Sequence, residues 1–536
     1  MSIDRINPPL PSHPDESLPL DGSQVGIPGS PRPVLFYQRQ DSLPVVSHGR
    51  GIYLYDIHGK EYLDGCSGAV VANLGHGNER IARAAAAQLE KVAFTYRTQF
   101  ENRPADELAE LLVQLSPPEL NRVFFVNSGS EGVESAIKLA RQYWWSIGKQ
   151  GKSVFLSRRP SYHGATLGSL AATGYSSLNI PFIPLTVAWP KISAPYCYHC
   201  PLNKQYPECN IDCAHELEWA IQSYGADNIA AFIAEPIGGA STGAAVPPDE
   251  YFPIVEKICR DYEILLIIDD VMTGCGRTGT FYGYEHWDIT PDIVVTAKGL
   301  SAGYTPIGAI ICRTELIDEV LRSGGFMHGH TFAGNPLSCA IALEAIRIVI
   351  DEQLVENSRV LGTYLHERLH ELKDRHVVIG DVRGRGLFAA IEFVADRAAR
   401  RVFPADWFVA LEAAELAREH GLLVYPRRSL FGHSGDHVLI APPLTIDKAG
   451  IDELITRLDR ALAALSNLLI EYTETRAAKI EDSTVKRFEQ DEDVADYARA
   501  DLSEVEPVED ANVTRQMITG QPYISDDAEE GDGPEE

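Results

Sequence analysis

Two short, unbroken apolar runs stand out along the chain, Ile264–Ile268 and Ile293–Thr296. Both are rich in β-branched residues, too short for helices and each followed by glycine, which predicts buried strands. Other segments alternate. GIYLYDIHGKEYLD, Gly51–Asp64, predicts a hairpin turning at His58-Gly59. A glycine-rich apolar loop, Gly65–Gly77, leads into the helical pattern NERIARAAAAQLEKV. The run Val123–Val126 reads as a strand that breaks at Asn127-Ser128-Gly129-Ser130, where a helix opens with Glu131 and Glu134 in its first turn. From Pro336, PLSCAIALEAIRIVIDEQLVENS predicts one long helix, and a further helix is predicted from Trp407 to His420. Beyond Leu465 a helix is predicted to fray into an acidic tail punctuated by Pro and Gly, with residues Glu504–Glu536 disordered.

The chemistry sits at the ends of the two apolar runs. The first ends in Asp269-Asp270, the second in Lys298-Gly299. In an open α/β sheet, reactive groups gather at the carboxyl ends of strands, so both would reach one crevice. A lysine and a carboxylate placed this way suit pyridoxal phosphate: the amine attaches the cofactor aldehyde, and the acid keeps the pyridinium nitrogen protonated. Taken singly, an Asp or Lys after a strand is more often a solvated cap. Gly274-Cys275-Gly276-Arg277-Thr278-Gly279 matches the G-x-G-x-x-G dinucleotide fingerprint in letters only. Phe281, Tyr282, Tyr284 and Trp287 follow it without a helical period, so that reading is rejected.

DDVMTGCGRTG followed by PDIVVTAK resembles the signature of class III aminotransferases, pyridoxal-phosphate enzymes of fold type I. The similarity covers about residues 34–465. It departs from the family at Asp270, where glutamate is usual. The resemblance implies an α/β fold: a large domain with a mainly parallel sheet between helices, and a smaller α+β domain from the N- and C-terminal segments. Residues 1–33 would be a mobile Pro-rich arm, 34–95 and 345–470 the small domain, 96–344 the large one, and 471–536 the tail. Lys298 and Asp269 would be catalytic. Gly129 and Ser130 would hold the cofactor phosphate at a helix N-terminus, beside Ser128, which would equally serve as a plain helix cap. Tyr162 would stack on the ring, with His163, Glu235 and Val271 completing the cofactor site. Thr331 would close the phosphate cup of the opposite subunit, so that a homodimer shares its active sites. Relatives that handle an α-carboxylate often carry an arginine at the position of Leu439; here Arg427, Arg428 and Arg383 are the candidates to bind a carboxylate, each otherwise an ordinary ion pair.

Charge and composition narrow the partners. The net charge is −29, of which residues 471–536 supply −15 (21 acids against 6 bases), leaving −14 for the rest. That balance argues against nucleic acid. No apolar run suits a membrane span and the N-terminus lacks a leader pattern, so the cytoplasm is the expected location. Nine cysteines do not suggest a disulfide scaffold, but Cys197, Cys200, Cys209 and Cys213 are spaced C-x2-C-x8-C-x3-C, and the spacing admits either a small structural zinc knuckle or a loop of free thiols. The implied function is ping-pong transfer of an amino group from an ω-amino compound or amine to an oxo-acid, pyruvate or 2-oxoglutarate. The rivals are a mutase, racemase or decarboxylating enzyme on the same scaffold, and a non-catalytic docking protein using its acidic tail.

Overall fold

The computed structural model describes residues 43–427 and 435–490. The N-terminal arm, Arg428 and the tail from 491 lie outside them. The chain divides into two separate units, Met1–Val46 and Ser47–Glu536.

At the centre of the second unit is a seven-stranded sheet. In spatial order the strands are Leu120–Val126, Gly308–Arg313, Ile293–Thr296, Leu265–Asp269, Ile229–Ala234, Val154–Arg159 and Lys191–Ser193. The last five run parallel, and Gly308–Arg313 is antiparallel to both of its neighbours. Every residue of Ile229–Ala234, Leu265–Asp269 and Ile293–Thr296 is buried. Unbroken apolar runs are the form a strand takes when both sheet faces are covered, which is why these segments do not alternate. One apolar cluster, with Phe232 and Ile268, packs one side, and another, with Val133, Ile267 and Val295, packs the other. The fold is mixed α/β.

Two smaller sheets flank this one. The predicted hairpin is present as Tyr53–Asp56 and Glu61–Asp64, with Tyr53 opposite Leu63. Asp56 Oδ1 accepts from the amides of His58 and Lys60, and Gly59 takes φ +78°, so the turn is fixed by an aspartate and a glycine. Four antiparallel strands, Ile379–Arg385, Phe388–Phe393, His437–Ile440 and Tyr425–Arg427, make the other sheet.

Helix ends follow their capping chemistry. Asn78 accepts from the amides of Arg80 and Ile81 and starts Glu79–Leu89; Ser128 accepts from Glu131 N and starts Gly129–Ser146. Two predicted helices differ from expectation. The helix expected to run on from Pro336 is two, Pro336–Asp351 and Leu354–Arg375, because Gln353 takes φ +53° between them. The last helix, Lys448–Gln490, stays helical through the stretch beyond Leu465 where fraying into the acidic tail is expected. No Gly or Pro occurs between 471 and 506, and Glu, Arg, Ala and Lys in that stretch favour helix. No helix of the described residues is long and apolar enough to cross a membrane.

Arg277 ties these parts together. Its buried guanidinium donates to Leu387 O (3.0 Å), Pro442 O (2.5 Å) and Asn73 Oδ1 (2.7 Å). Burial lowers its pKa to about 9, a cost offset because one planar donor set satisfies three separate segments. Arg277→Met would leave those buried acceptors unpaired, destabilising the chain by on the order of 3 kcal/mol. The urea unfolding midpoint should fall accordingly, with little recovery in Arg277→Lys; an unchanged midpoint would refute the role.

Candidate active site

Leu265–Asp269 and Ile293–Thr296 pair in parallel with Asp269 opposite Val295. The two strand ends therefore deliver Asp269 and Lys298 to one crevice, a cavity of about 430 Å³. Ser128, Gly129, Ser130, Tyr162, His163, Glu235, Asp269, Val271 and Lys298 all line it. The positions expected from sequence to hold the cofactor within one chain thus converge.

Lys298 follows Ala297 into a tight turn and sits in the left-handed region at φ +46°. A side-chain-bearing residue held there stores strain, a feature concentrated at functional sites. Gly299 is required by the same turn: a Cβ on it would lie 2.4 Å from Asn73 Nδ2. Burial lowers the Lys298 ammonium, Asp269 and Glu235 push it back up, and Arg427 lowers it, leaving it at about 8.

Asp269 is held from two sides. Its Oδ2 lies 2.8 Å from His163 Nδ1, both side chains buried, and its Oδ1 accepts from Val271 N at 3.3 Å. Glu235 accepts from Gly239 N at 3.0 Å and Tyr162 N at 3.4 Å; burial raises its carboxyl. Asp270, the departure from the family pattern, is buried beneath the cavity. It accepts from Thr273 Oγ1 and Gly283 N, fastening the turn that follows the strand.

The opposite wall is the N-terminus of Gly129–Ser146. The first amides of a helix have no carbonyl partner within it and face anions at the positive end of the dipole. A Cβ on Gly129 would meet Val271 Cγ1 at 2.9 Å, so only glycine lets the loop close against the aspartate strand. Ser130 Oγ accepts from Ala165 N, and Glu131 reaches back to Asn127 N at 2.7 Å.

These features fit pyridoxal phosphate. Among the described residues the Lys298 amine makes no hydrogen bond and the buried His163 Nε2 has no partner, and amides head a helix across the cavity. When bound, the cofactor supplies an electron-withdrawing ring conjugated to an aldehyde.

The remaining candidates lie elsewhere. Arg383 does not line the cavity; its guanidinium is within 3.0 Å of Asp381 and 2.8 Å of Glu392, and it donates to Thr242 O at 2.7 Å. Burial alone would raise Glu392, yet Arg383 and hydrogen bonds from His199 and Tyr196 hold it at about 2. Leu439 is fully buried in its sheet. Arg427 lies outside the cavity lining, near enough for its charge to bear on Lys298 and Tyr162, and it stacks over Tyr425. Thr331 is exposed and away from this chain's cavity. Cys197, Cys200, Cys209 and Cys213 are all free thiols. Among the described residues no group of three or more His, Cys, Asp or Glu is placed to hold a metal ion.

Several lining residues carry no signal of their own in the sequence motifs. Met272 and Thr273 lie within the DDVMTGCGRTG stretch, and Val71 in the Gly65–Gly77 loop. Pro306 and Ile307 have no local pattern that would find them.

Comparison with known proteins agrees with this geometry. A family model described as aminotransferase class-III matches residues 36–462. An uncharacterized aminotransferase, YodT of Bacillus subtilis, is 43% identical over 429 residues, covering 80% of this chain and 96% of its own length. A putrescine–pyruvate aminotransferase of Pseudomonas aeruginosa is 36% identical, with 78% and 91% covered. The crystal structure of an (S)-enantioselective omega-transaminase from Thermomicrobium roseum superposes with a TM-score of 0.75 at 38% identity, covering 80% of this chain and 94% of that one. Class III aminotransferases depend on pyridoxal phosphate to move amino groups onto oxo-acids. The chain belongs to the class III aminotransferase family.

Proposed function

We propose that the chain takes the amino group of an ω-amino compound or simple amine and passes it to an oxo-acid, pyruvate or 2-oxoglutarate, using pyridoxal phosphate at Lys298. The observation that carries this is the amine itself: among the described residues Lys298 Nζ has no hydrogen-bond partner, and it has a pKa near 8 and Asp269 at the adjoining strand end. An amine so tuned is partly neutral near neutral pH and able to attack a carbonyl. Lys298 would hold the cofactor through its aldehyde and, as a free amine, would serve as the base that takes a proton from the donor carbon and returns it. Asp269 holds a proton on the ring nitrogen, and His163, 2.8 Å away, orients that carboxylate. The amides of Gly129 and Ser130 hold the phosphate, with Ser128 capping the helix behind them. Tyr162 and Val271, which both line the cavity, would pack against the cofactor ring.

Arg427 is the residue we assign to the acceptor's carboxylate. Leu439 cannot bind one, and Arg383 is engaged by Asp381 and Glu392. The putrescine–pyruvate relative and the omega-transaminase neighbour support an amine donor. We infer a homodimer in which Thr331 completes the partner site; the exposure of Met327 (74%) and Phe332 (59%) beside it supports a second copy covering this loop. The segments 34–95 with 345–470 and 96–344 remain our division of the chain into small and large domains, and we place the protein in the cytoplasm.

Purified protein incubated with pyridoxal phosphate should turn yellow and yield a borohydride-trapped label on Lys298. Lys298→Ala should lose both the label and at least ~100-fold in turnover, at the lower end expected for a general base; a donor panel run against both oxo-acids would identify the amine, and no colour at all would sink the reading. In cofactor-free protein, the rate at which added aldehyde attaches to Lys298 should rise with pH around a midpoint near 8. Asp269 favours the ammonium, so Asp269→Asn should move that midpoint down; a midpoint unmoved or raised contradicts the proposed electrostatics. Arg427→Ala should raise the KM for the oxo-acid roughly 10-fold or more, the worth of a charge-assisted hydrogen bond, while leaving that of a monoamine donor within about twofold.

A further inference from the structure

A second cavity, about 1240 Å³, opens where the Cys-rich segment folds over the edge of the large sheet, and it shares no lining residue with the Lys298 site. Arg159 and Lys191 enter it from neighbouring parallel strands, Val154–Arg159 and Lys191–Ser193, which pair with Arg159 opposite Ser193. Arg400 enters from the far side.

Among the described residues none of these three cations has an acid. The Arg159 guanidinium has no hydrogen-bond or ion-pair partner there, and burial alone lowers it. Lys191 Nζ donates only to carbonyls, Ala171 O at 2.7 Å and Trp189 O at 3.3 Å. Arg400 donates to Tyr198 O at 2.7 Å and lies over the Tyr198 ring. The other charges lining the space are already matched: Lys204 with Asp212, His199 with Glu392, and Asp381 with Arg383. Three cations without an acid partner among the described residues, two of them exposed arginines, thus line one cavity. Lys191 feels the cost, since burial and then the charge of Arg159 lower it to about 8. The buried Tyr198 hydroxyl has no partner among the described residues either and remains a donor, its pKa raised to about 12 by burial.

We propose that this cavity is an anion-binding site, separate from the catalytic one, that takes a small molecule through a multivalent phosphate or carboxylate group. Arg159 and Lys191 would face the anion from the sheet edge, with Arg400 as the third cation. The volume exceeds what a bare phosphate fills, so the anionic group would be carried on a larger body.

The test is calorimetric titration of cofactor-loaded, dialysed full-length protein at constant ionic strength, with pyrophosphate and citrate in separate arms. At least one should bind with one site per chain, and the arm that binds tells phosphate from carboxylate. Arg159→Gln/Lys191→Gln should weaken that binding ~10-fold or more and Arg400→Gln severalfold, with transamination unchanged. Should the double variant fail to fold, Arg159→Gln alone, which removes no bonded partner, should still weaken binding severalfold. Arg83→Gln, the same charge change on an exposed helix pair, should have no effect. No saturable binding in either arm, unchanged affinity in the variants, or an equal loss in Arg83→Gln would overturn the site.

Discussion

Everything in the catalytic cavity depends on the register of two parallel strands. With Ile267 opposite Ile293 and Asp269 opposite Val295, the chain past each strand end emerges on the same side of the sheet. A slip of one residue would turn Asp269 to the other face of the sheet. That slip is prevented by the very feature that marks these strands in the sequence: every residue in them is buried, so either face loses its packing if the register moves. The strain at Lys298 is sustained in the same way. Asn73 presses against Gly299, and Asn73 is in turn held by Arg277, which also grips Leu387 and Pro442. The position of one amine is thus maintained by a buried guanidinium that precedes it in the chain.

The electrostatics of the cavity are a balance among groups that burial would otherwise neutralise. Asp269 and Glu235 together favour a cation at Lys298, and burial and Arg427 oppose it. The outcome, an amine near pKa 8, needs all four. His163 serves a narrower purpose: at 2.8 Å from Asp269 it restricts where that carboxylate points, leaving the rest of its surface toward the cavity. Asp270 shows how the chain tolerates a shorter side chain than its family usually has. Its oxygens reach Thr273 in the turn that follows the strand and the amide of Gly283 thirteen residues on, so the shorter side chain still ties two segments together.

Much of this was legible from the residues. Unbroken β-branched runs identify strands buried on both faces, and a lysine and an aspartate at their ends identify a crevice, because these signals are local. Side-chain destination across a sheet is not local. Arg383 in VRGRG reads either as a carboxylate-binding candidate or as an ordinary ion pair, and strand pairing decides for the ion pair: Asp381 shares a row with Glu392 and His437, and Arg383 lies two residues on, on the same face. The carboxylates that neutralise it come from its own strand and the next. The break at Gln353 was hidden for a related reason. Its neighbours suit a helix, and only the left-handed turn it makes separates Pro336–Asp351 from Leu354–Arg375.

The same sheet shows what a leucine at position 439 does in place of a cation. Arg383, Ala390, Leu439 and Tyr425 form one row across the four strands, and Asp381, Glu392, His437 and Arg427 form the next row on that face. A guanidinium at 439 would sit mid-sheet, two strands from Arg383, in a region whose carboxylates are already matched. Leucine there packs into the core instead. Arg427, the residue we propose for carboxylate binding, lies at the end of its strand, where its contacts among the described residues are the Tyr425 ring and hydroxyl and no acid. A cation stacked on a tyrosine is held weakly enough to swing toward a carboxylate and away from a neutral amine. On our reading, that is how one cavity serves both a donor without a carboxylate and an acceptor with one.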